Sequence, residues 1–147
     1  MKIECIASPT GVFLRFGQQQ GGAAALVNIA NIVAIVDNDG YTQIEMGNSK
    51  YVTPSPIADF IAALSGGRSS APVPAAKMER IASGAGTFIG FASRGGRHRT
   101  VLVNVANILA IEDRGSYTAI ATFEETTYLY DGPFNEVLAA ITGPCGD

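Results

Sequence analysis

The chain of 147 residues contains no tryptophan, one histidine and two cysteines, and only 16% of its residues are charged. Each scarcity narrows the chemistry. Ser-His-Asp or Cys-His catalysis would have to run through His98, in a loop far in sequence from either cysteine, so general acid–base catalysis is not expected and the chain reads as non-enzymatic. Cys5 and Cys145 stand near opposite ends, in neither CxxC nor metal-ligand spacing, and read as free thiols, the alternative being a bridge between two edge cysteines that meet in space. With no Trp and no aromatic interleaved among the arginines, base stacking of the single-strand-binding kind has no support. The net charge of −3 and pI of about 5.1 provide no global field for nucleic acid or an anionic membrane. No stretch approaches the roughly 20 apolar residues of a membrane span. The start, Met1-Lys2-Ile3-Glu4-Cys5, places an acid where a secretion signal needs an apolar run. The expectation is a soluble, cytoplasmic protein with no membrane partner.

Cofactor signatures are equally scarce. Gly84-Ala85-Gly86-Thr87 lacks the third glycine of a dinucleotide fingerprint and falls at a hairpin turn rather than before a helix. Asp37-Asn38-Asp39-Gly40 opens like a calcium loop, but the later ligands and distal Glu are missing at their spacing, which leaves a turn. Glu112-Asp113 and Glu124-Glu125 are neighbours at strand ends and point to opposite faces, unlike a carboxylate dyad. No cofactor and no metal are expected.

What the chain has is a stretch used twice, Leu26-Val27-Asn28-Ile29-Ala30-Asn31-Ile32-Val33-Ala34-Ile35 and Leu102-Val103-Asn104-Val105-Ala106-Asn107-Ile108-Leu109-Ala110-Ile111. The likeness extends on both sides. Ile6-Ala7-Ser8 returns as Ile81-Ala82-Ser83, Phe13-Leu14 as Phe88-Ile89, Phe16 as Phe91, Asp37 as Asp113, Tyr41-Thr42 as Tyr117-Thr118, Ile44 as Ile120 and Tyr51 as Tyr128. The pattern predicts a tandem duplication of a unit of roughly 60 residues, with unit 1 over 1–64, a Gly/Ser/Pro/Ala linker over 65–78 and unit 2 over 79–147.

Within a unit, turn signals bound strand-sized apolar runs: Lys2 to Ala7, Val12 to Phe16, Ala24 to Asn28, Ile32 to Val36, Tyr41 to Met46 and Lys50 to Thr53. Asn28 and Asn31 flank a tight corner, where Asn tolerates unusual backbone and bonds nearby amides. Ser55-Pro56 announces a helix whose Ile57, Phe60, Ile61 and Leu64 follow i, i+3, i+4, i+7, and Phe134, Val137, Leu138 and Ile141 repeat the stripe after Gly132-Pro133. The predicted class is mainly β (α+β): five or six short, bent strands plus one C-terminal helix per unit, as a small barrel or rolled sheet, with the units packed about an approximate two-fold axis. Each helix is expected to cover a sheet of its own or its sister unit.

One cluster has a functional flavour. Arg94-Gly95-Gly96-Arg97-His98-Arg99, in the loop before the second core stretch, puts three guanidiniums on a glycine-rich tip that suits phosphates, whereas unit 1 has Gln18-Gln19-Gln20 there. Arg94, Arg97, His98 and Arg99 are therefore the candidate nucleic-acid or anion site, against the alternative of a solvated hairpin tip. The repeated tyrosines read as half-buried packing with a wet hydroxyl.

The run Val103 to Glu112, followed by Tyr117-Thr118-Ala119-Ile120, a turn, Tyr128-Leu129 and a capped apolar helix, resembles part of the LytTR-type DNA-binding domain of bacterial response regulators over about 40 residues of each unit. The basic tail that follows this helix in that family has no counterpart after Leu64 or Ile141, so no DNA-contacting residue carries over. Small Sm-like or SH3-like barrels match the strand count as well. The resemblance implies a β-rich module that binds through its loops or edges. The overall expectation is a non-enzymatic binding or assembly protein with a protein partner or self-association, the alternative being a nucleic-acid binder using the basic loop of unit 2.

Overall fold

A computed structural model of the protein describes residues 3–9, 11–17, 24–47, 49–64, 78–83, 86–93, 99–122 and 126–142. The linker expected over 65–78 lies outside them except for Met78. Alternating side chains produce the first strands, β1 (Glu4–Ser8), β2 (Gly11–Gly17) and β3 (Ala24–Asn28). In β2, Leu14 and Phe16 are buried and Arg15 between them is exposed; in β3, Ala25 and Val27 are buried and Leu26 is exposed. The period of two on each strand marks a sheet with one covered face.

A 3₁₀ turn, Ile29–Asn31, follows, and Asn28 starts it: its Oδ1 accepts from the Ala30 amide at 3.1 Å. Strands β4 (Ala34–Asp37), β5 (Thr42–Glu45) and β6 (Lys50–Thr53) then run antiparallel. Asp37 Oδ1 accepts from the Asp39 amide at 3.0 Å, and Asp39 (φ 62°) with Gly40 (φ 111°) takes the positive dihedrals of the β4–β5 turn. Helix α1 (Ile57–Leu64) buries Ile57, Phe60, Ile61 and Leu64, one stripe of the i, i+3, i+4, i+7 kind. Its start is fastened to the sheet by the buried Thr42, whose hydroxyl donates to the Ser55 carbonyl at 2.6 Å.

The same order of elements then recurs: β7 (Glu79–Ser83), β8 (Gly86–Ser93), β9 (Arg99–Asn104), a 3₁₀ turn (Val105–Asn107), β10 (Ile108–Asp113), β11 (Thr118–Thr122), β12 (Thr127–Tyr130) and α2 (Phe134–Thr142). Details recur with it. Asn104 Oδ1 accepts from the Ala106 amide at 3.1 Å, Asp113 Oδ1 from the Gly115 amide at 2.9 Å, and the Thr118 hydroxyl donates to the Gly132 carbonyl at 3.0 Å. The fold is mainly β, with antiparallel sheets and two helices among the described residues.

The sheets join in an unequal way. β1-β2-β3 forms one sheet; the other runs β10-β11-β12-β8-β9-β4-β5-β6, with β7 also on β8. β8 is long enough to hold β7 along Gly86 to Gly90 and to reach β12 at Ser93, opposite Tyr130. β4 pairs across the halves with β9, in the register Ala34 to Val103, Ile35 to Leu102 and Val36 to Val101. The expected two-fold axis would exchange the halves and so demand a second ladder, β3 on β10. Among the described residues β3 pairs only with β2 and β10 only with β11, so the halves are joined on one side.

The core follows that junction. Leu14, Phe16 and Phe60 of the first half pack with Phe88 and Leu102 of the second, while Val33, Ala34 and Val36 enter the cluster around Phe91, Val101 and Tyr130. Edge-on aromatic contacts, Phe16 to Phe60 at 5.7 Å and Phe91 to Tyr130 at 5.6 Å, hold the centres of the two clusters. Helix α1 lies on β1 and β4 of its own half and on β7 of the other; α2 lies on β7 and β8.

Candidate interaction edges

The β4–β9 junction shows what these segments do when they meet. β9 has β8 on one side and β4 on the other, and Val101, Leu102, Val103 and Asn104 are all buried, as expected of a strand covered on both faces. The junction extends past the ladder into side-chain latches. The Asn104 amide donates to the Val33 carbonyl at 3.0 Å and Asn104 Nδ2 to the Ile29 carbonyl at 3.2 Å. Asn107 Nδ2 donates to the Ile32 carbonyl at 2.7 Å and the Ala30 carbonyl at 3.3 Å. These carbonyls lie in or beside the first 3₁₀ turn, which no sheet ladder satisfies. A carboxamide supplies the two donors such a corner needs. Tyr128 adds a bond between the halves, its hydroxyl donating to Glu45 Oε1 at 2.7 Å. Burial, then the neighbouring Glu45 carboxylate, pushes that hydroxyl well above the usual tyrosine range.

Two strand edges carry the matching halves of this junction without filling it. Among the described residues β3 lies at one end of the small sheet and β10 at one end of the large one. On β3, Leu26 is exposed, although its counterpart in the repeated stretch, Leu102, is fully buried. On β10, Leu109 is exposed at a slip of register between Ile108 and Ala110, although its counterpart Val33 is buried. Ala110 and Glu112 are exposed as well, where Ala34 and Val36 are buried. An unpaired edge presents alternating amides and carbonyls ready to accept another strand.

Most of the basic cluster expected from the sequence is not among the described residues. Arg94, Arg97 and His98 lie outside the described residues, and Arg99 is placed by its backbone as the first residue of β9, opposite Ser93. The acidic pairs resolve into local contacts: Asp37 closes a turn, and Glu112 Oε1 receives Arg114 Nη2 at 2.6 Å; Glu124-Glu125 lies outside the described residues. Among the described residues no group of three or more His, Cys, Asp and Glu side chains converges. Cys5 is exposed and unbridged, with its thiol 3.1 Å from the Ala63 carbonyl and partial burial raising its pKa; Cys145 lies outside the described residues. No helix among the described residues is long and apolar enough to cross a membrane.

The half-buried Tyr51 is as expected, whereas Tyr128, expected to be half-buried with a wet hydroxyl, is buried with that hydroxyl on Glu45. Tyr51 packs edge-on against Phe16 at 6.1 Å, and the buried Tyr130 donates its hydroxyl to Glu136. The asparagines do more. Read from the sequence as corner-formers, they do shape the corners, and in addition Asn104 and Asn107 clasp the other half of the chain. The signal was present: both asparagines recur at the same spacing in both copies, which one corner-forming residue would not require.

Compared with protein families, curated proteins and solved structures, the chain matches none of them.

Proposed function

We propose that the protein is a non-enzymatic assembly module: a tandem duplication of one β-rich unit, joined head to tail through a strand edge, whose remaining edges bind polypeptide. One observation carries the reading, the one-sided β4–β9 ladder with its Asn104 and Asn107 latches. A junction of that kind uses one edge of each unit and, among the described residues, leaves the complementary edge of each unpaired, namely β3 of the first and β10 of the second. A two-fold pseudo-dimer would have consumed both. Burial supports it too, since the chain keeps large apolar side chains on those two edges where a strictly monomeric protein gains solubility from charge.

The test is the mass of the purified chain by light scattering over a wide range of concentration. A mass that rises above the 15.3 kDa of one chain is expected. A mass fixed at one chain throughout would count against assembly.

A further inference from the structure

Resting on that reading, we infer that the occupant of the two edges is a second copy of this chain, whose β10 adds to β3 of its neighbour and repeats the internal β4–β9 junction between molecules. Among the described residues four large apolar side chains are exposed: Ile6 (37%), Leu26 (55%), Leu109 (69%) and Leu138 (47%). Their counterparts in the other half of the chain are Ile81, Leu102, Val33 and Ile61, and every one is buried, at 5%, 0%, 6% and 3%. Chance exposure of a surface leucine does not sort this way. The four buried residues are the ones the internal junction covers, Val33 and Ile61 coming from the first half and Ile81 and Leu102 from the second. The four exposed ones divide in the complementary sense, Leu109 and Leu138 on the second half, Ile6 and Leu26 on the first.

The internal junction therefore supplies the register of the external one. Ala34 faces Val103, Ile35 faces Leu102 and Val36 faces Val101. Carried over the repeat, Ala110 of one copy faces Val27 of the next, Ile111 faces Leu26, and Glu112 faces Ala25. The latch carries over as well. Asn31 takes the place of Asn107, so its Nδ2 meets the Ala106 and Ile108 carbonyls of the neighbouring copy, and Asn28 takes the place of Asn104 and reaches the Val105 carbonyl. Asn31 is exposed in the single chain, and among the described residues its carboxamide has no partner. Helix α2 follows the same rule: α1 lies on β7 across the internal junction, and α2 with Leu138 is placed to lie on β1 of the next copy with Ile6. In that register Glu112 stands in the place of Val36. It stands at the outer end of the ladder, its carboxylate already on Arg114, and it meets Ala25 where Val36 meets the larger Val101.

The contact is heterologous, since a surface of one unit meets a different surface of the next. Repetition gives a closed ring if the rotation per unit divides the circle, and a filament if it does not.

The experiment uses two full-length variants, each with one edge blocked at an exposed position. Leu109→Lys puts a charge on β10 and leaves β3 intact; Leu26→Lys does the converse. Circular dichroism and thermal melting of each in dilute solution check that the fold is kept, and Asn31→Ala serves as a second block of the β3 side. Each variant alone is expected to sediment as one chain, its association weakened by roughly 30-fold or more. An equimolar mixture of the two Lys variants is expected to form a complex of twice the 15.3-kDa chain mass, because each supplies the edge the other lacks. Variants that assemble as the wild type does would overturn the edge-to-edge contact and leave the assembly reading standing. Monomeric variants that do not combine on mixing would overturn the head-to-tail pairing. A wild-type chain that never exceeds one chain mass would overturn both readings.

Discussion

Asn104→Ala tests the junction at its most buried polar point. The side chain makes two bonds in the native chain, Nδ2 to the Ile29 carbonyl at 3.2 Å and Oδ1 from the Ala106 amide at 3.1 Å. Alanine removes both partners. The Ile29 carbonyl keeps the Ile32 amide at 3.1 Å and loses its second donor, so the missing bond costs about 0.5–1.5 kcal/mol. Ala106 is exposed, and loss of its cap costs about 1 kcal/mol. The expected destabilisation is therefore about 1.5–2.5 kcal/mol, and for a chain of this length about 2 kcal/mol lowers Tm by roughly 4–8 °C. The control is the residue at the same place in the other copy. Asn28 accepts from the exposed Ala30 amide at 3.1 Å, and among the described residues its Nδ2 has no carbonyl to clasp, so Asn28→Ala costs about 0.5–1 kcal/mol in dilute solution. Urea denaturation at low protein concentration, with the slope checked for constancy, measures both. If the two substitutions cost the same in that regime, or if Asn104→Ala costs less than about 1 kcal/mol, the account of the junction is wrong. Raising the concentration should bring the two costs together, because association gives Asn28 the surroundings Asn104 already has.

Further outcomes follow from the same geometry. Leu102→Ala should cost about 2–5 kcal/mol, whereas Leu26→Ala in dilute solution should stay within about 0.5 kcal/mol, and equal costs by chemical denaturation would contradict the unequal burial. Gly132→Ala sets a Cβ 2.5 Å from Tyr130 Cε2, within a ring that is itself buried, and should destabilise by about 1–3 kcal/mol; an unchanged melting temperature would refute the clash. Burial and the adjacent Glu45 and Glu136 carboxylates raise the Tyr128 and Tyr130 hydroxyls above the ordinary value of 10.0. A raised folded pKa contributes stability that is complete below about pH 10 and lost as pH climbs above it. Absorbance titration should show both hydroxyls still protonated past pH 10, ionising as the chain unfolds, and Tyr128→Phe should flatten the alkaline loss of stability. Replacing Arg94, Arg97 and Arg99 together with Ala should leave the scattering mass unchanged; loss of salt-sensitive binding to random oligonucleotides would place function in that loop instead.

Much of the local architecture was legible because it rests on local chemistry. Alternation at Leu14, Arg15 and Phe16, the Asp37-to-Gly40 turn and the Ile57, Phe60, Ile61, Leu64 stripe each depend on residues within a turn or two of one another, and the structure places them as expected. Strand limits moved by a residue or two: the run expected from Ile32 begins as β4 at Ala34, since Ile32 and Val33 leave the 3₁₀ turn before pairing starts. For the expected two-fold arrangement of halves, the sheet order gives one of the two ladders among the described residues. Symmetric sequences permit either a relation that exchanges the halves or one that propagates from each to the next, and pattern alone does not distinguish them.

The sequence by itself pointed to a strand-rich pattern used twice and indicated where the turns and helices fall. Only the tertiary structure decided which copy of each near-identical segment is covered. Leu26 and Leu102 sit in the same local sequence, yet one faces solvent and the other lies inside, because β4 comes to β9 while among the described residues β3 pairs only with β2. Burial depends on what arrives from elsewhere, and one covalent chain holding two copies can make such a head-to-tail junction once between them.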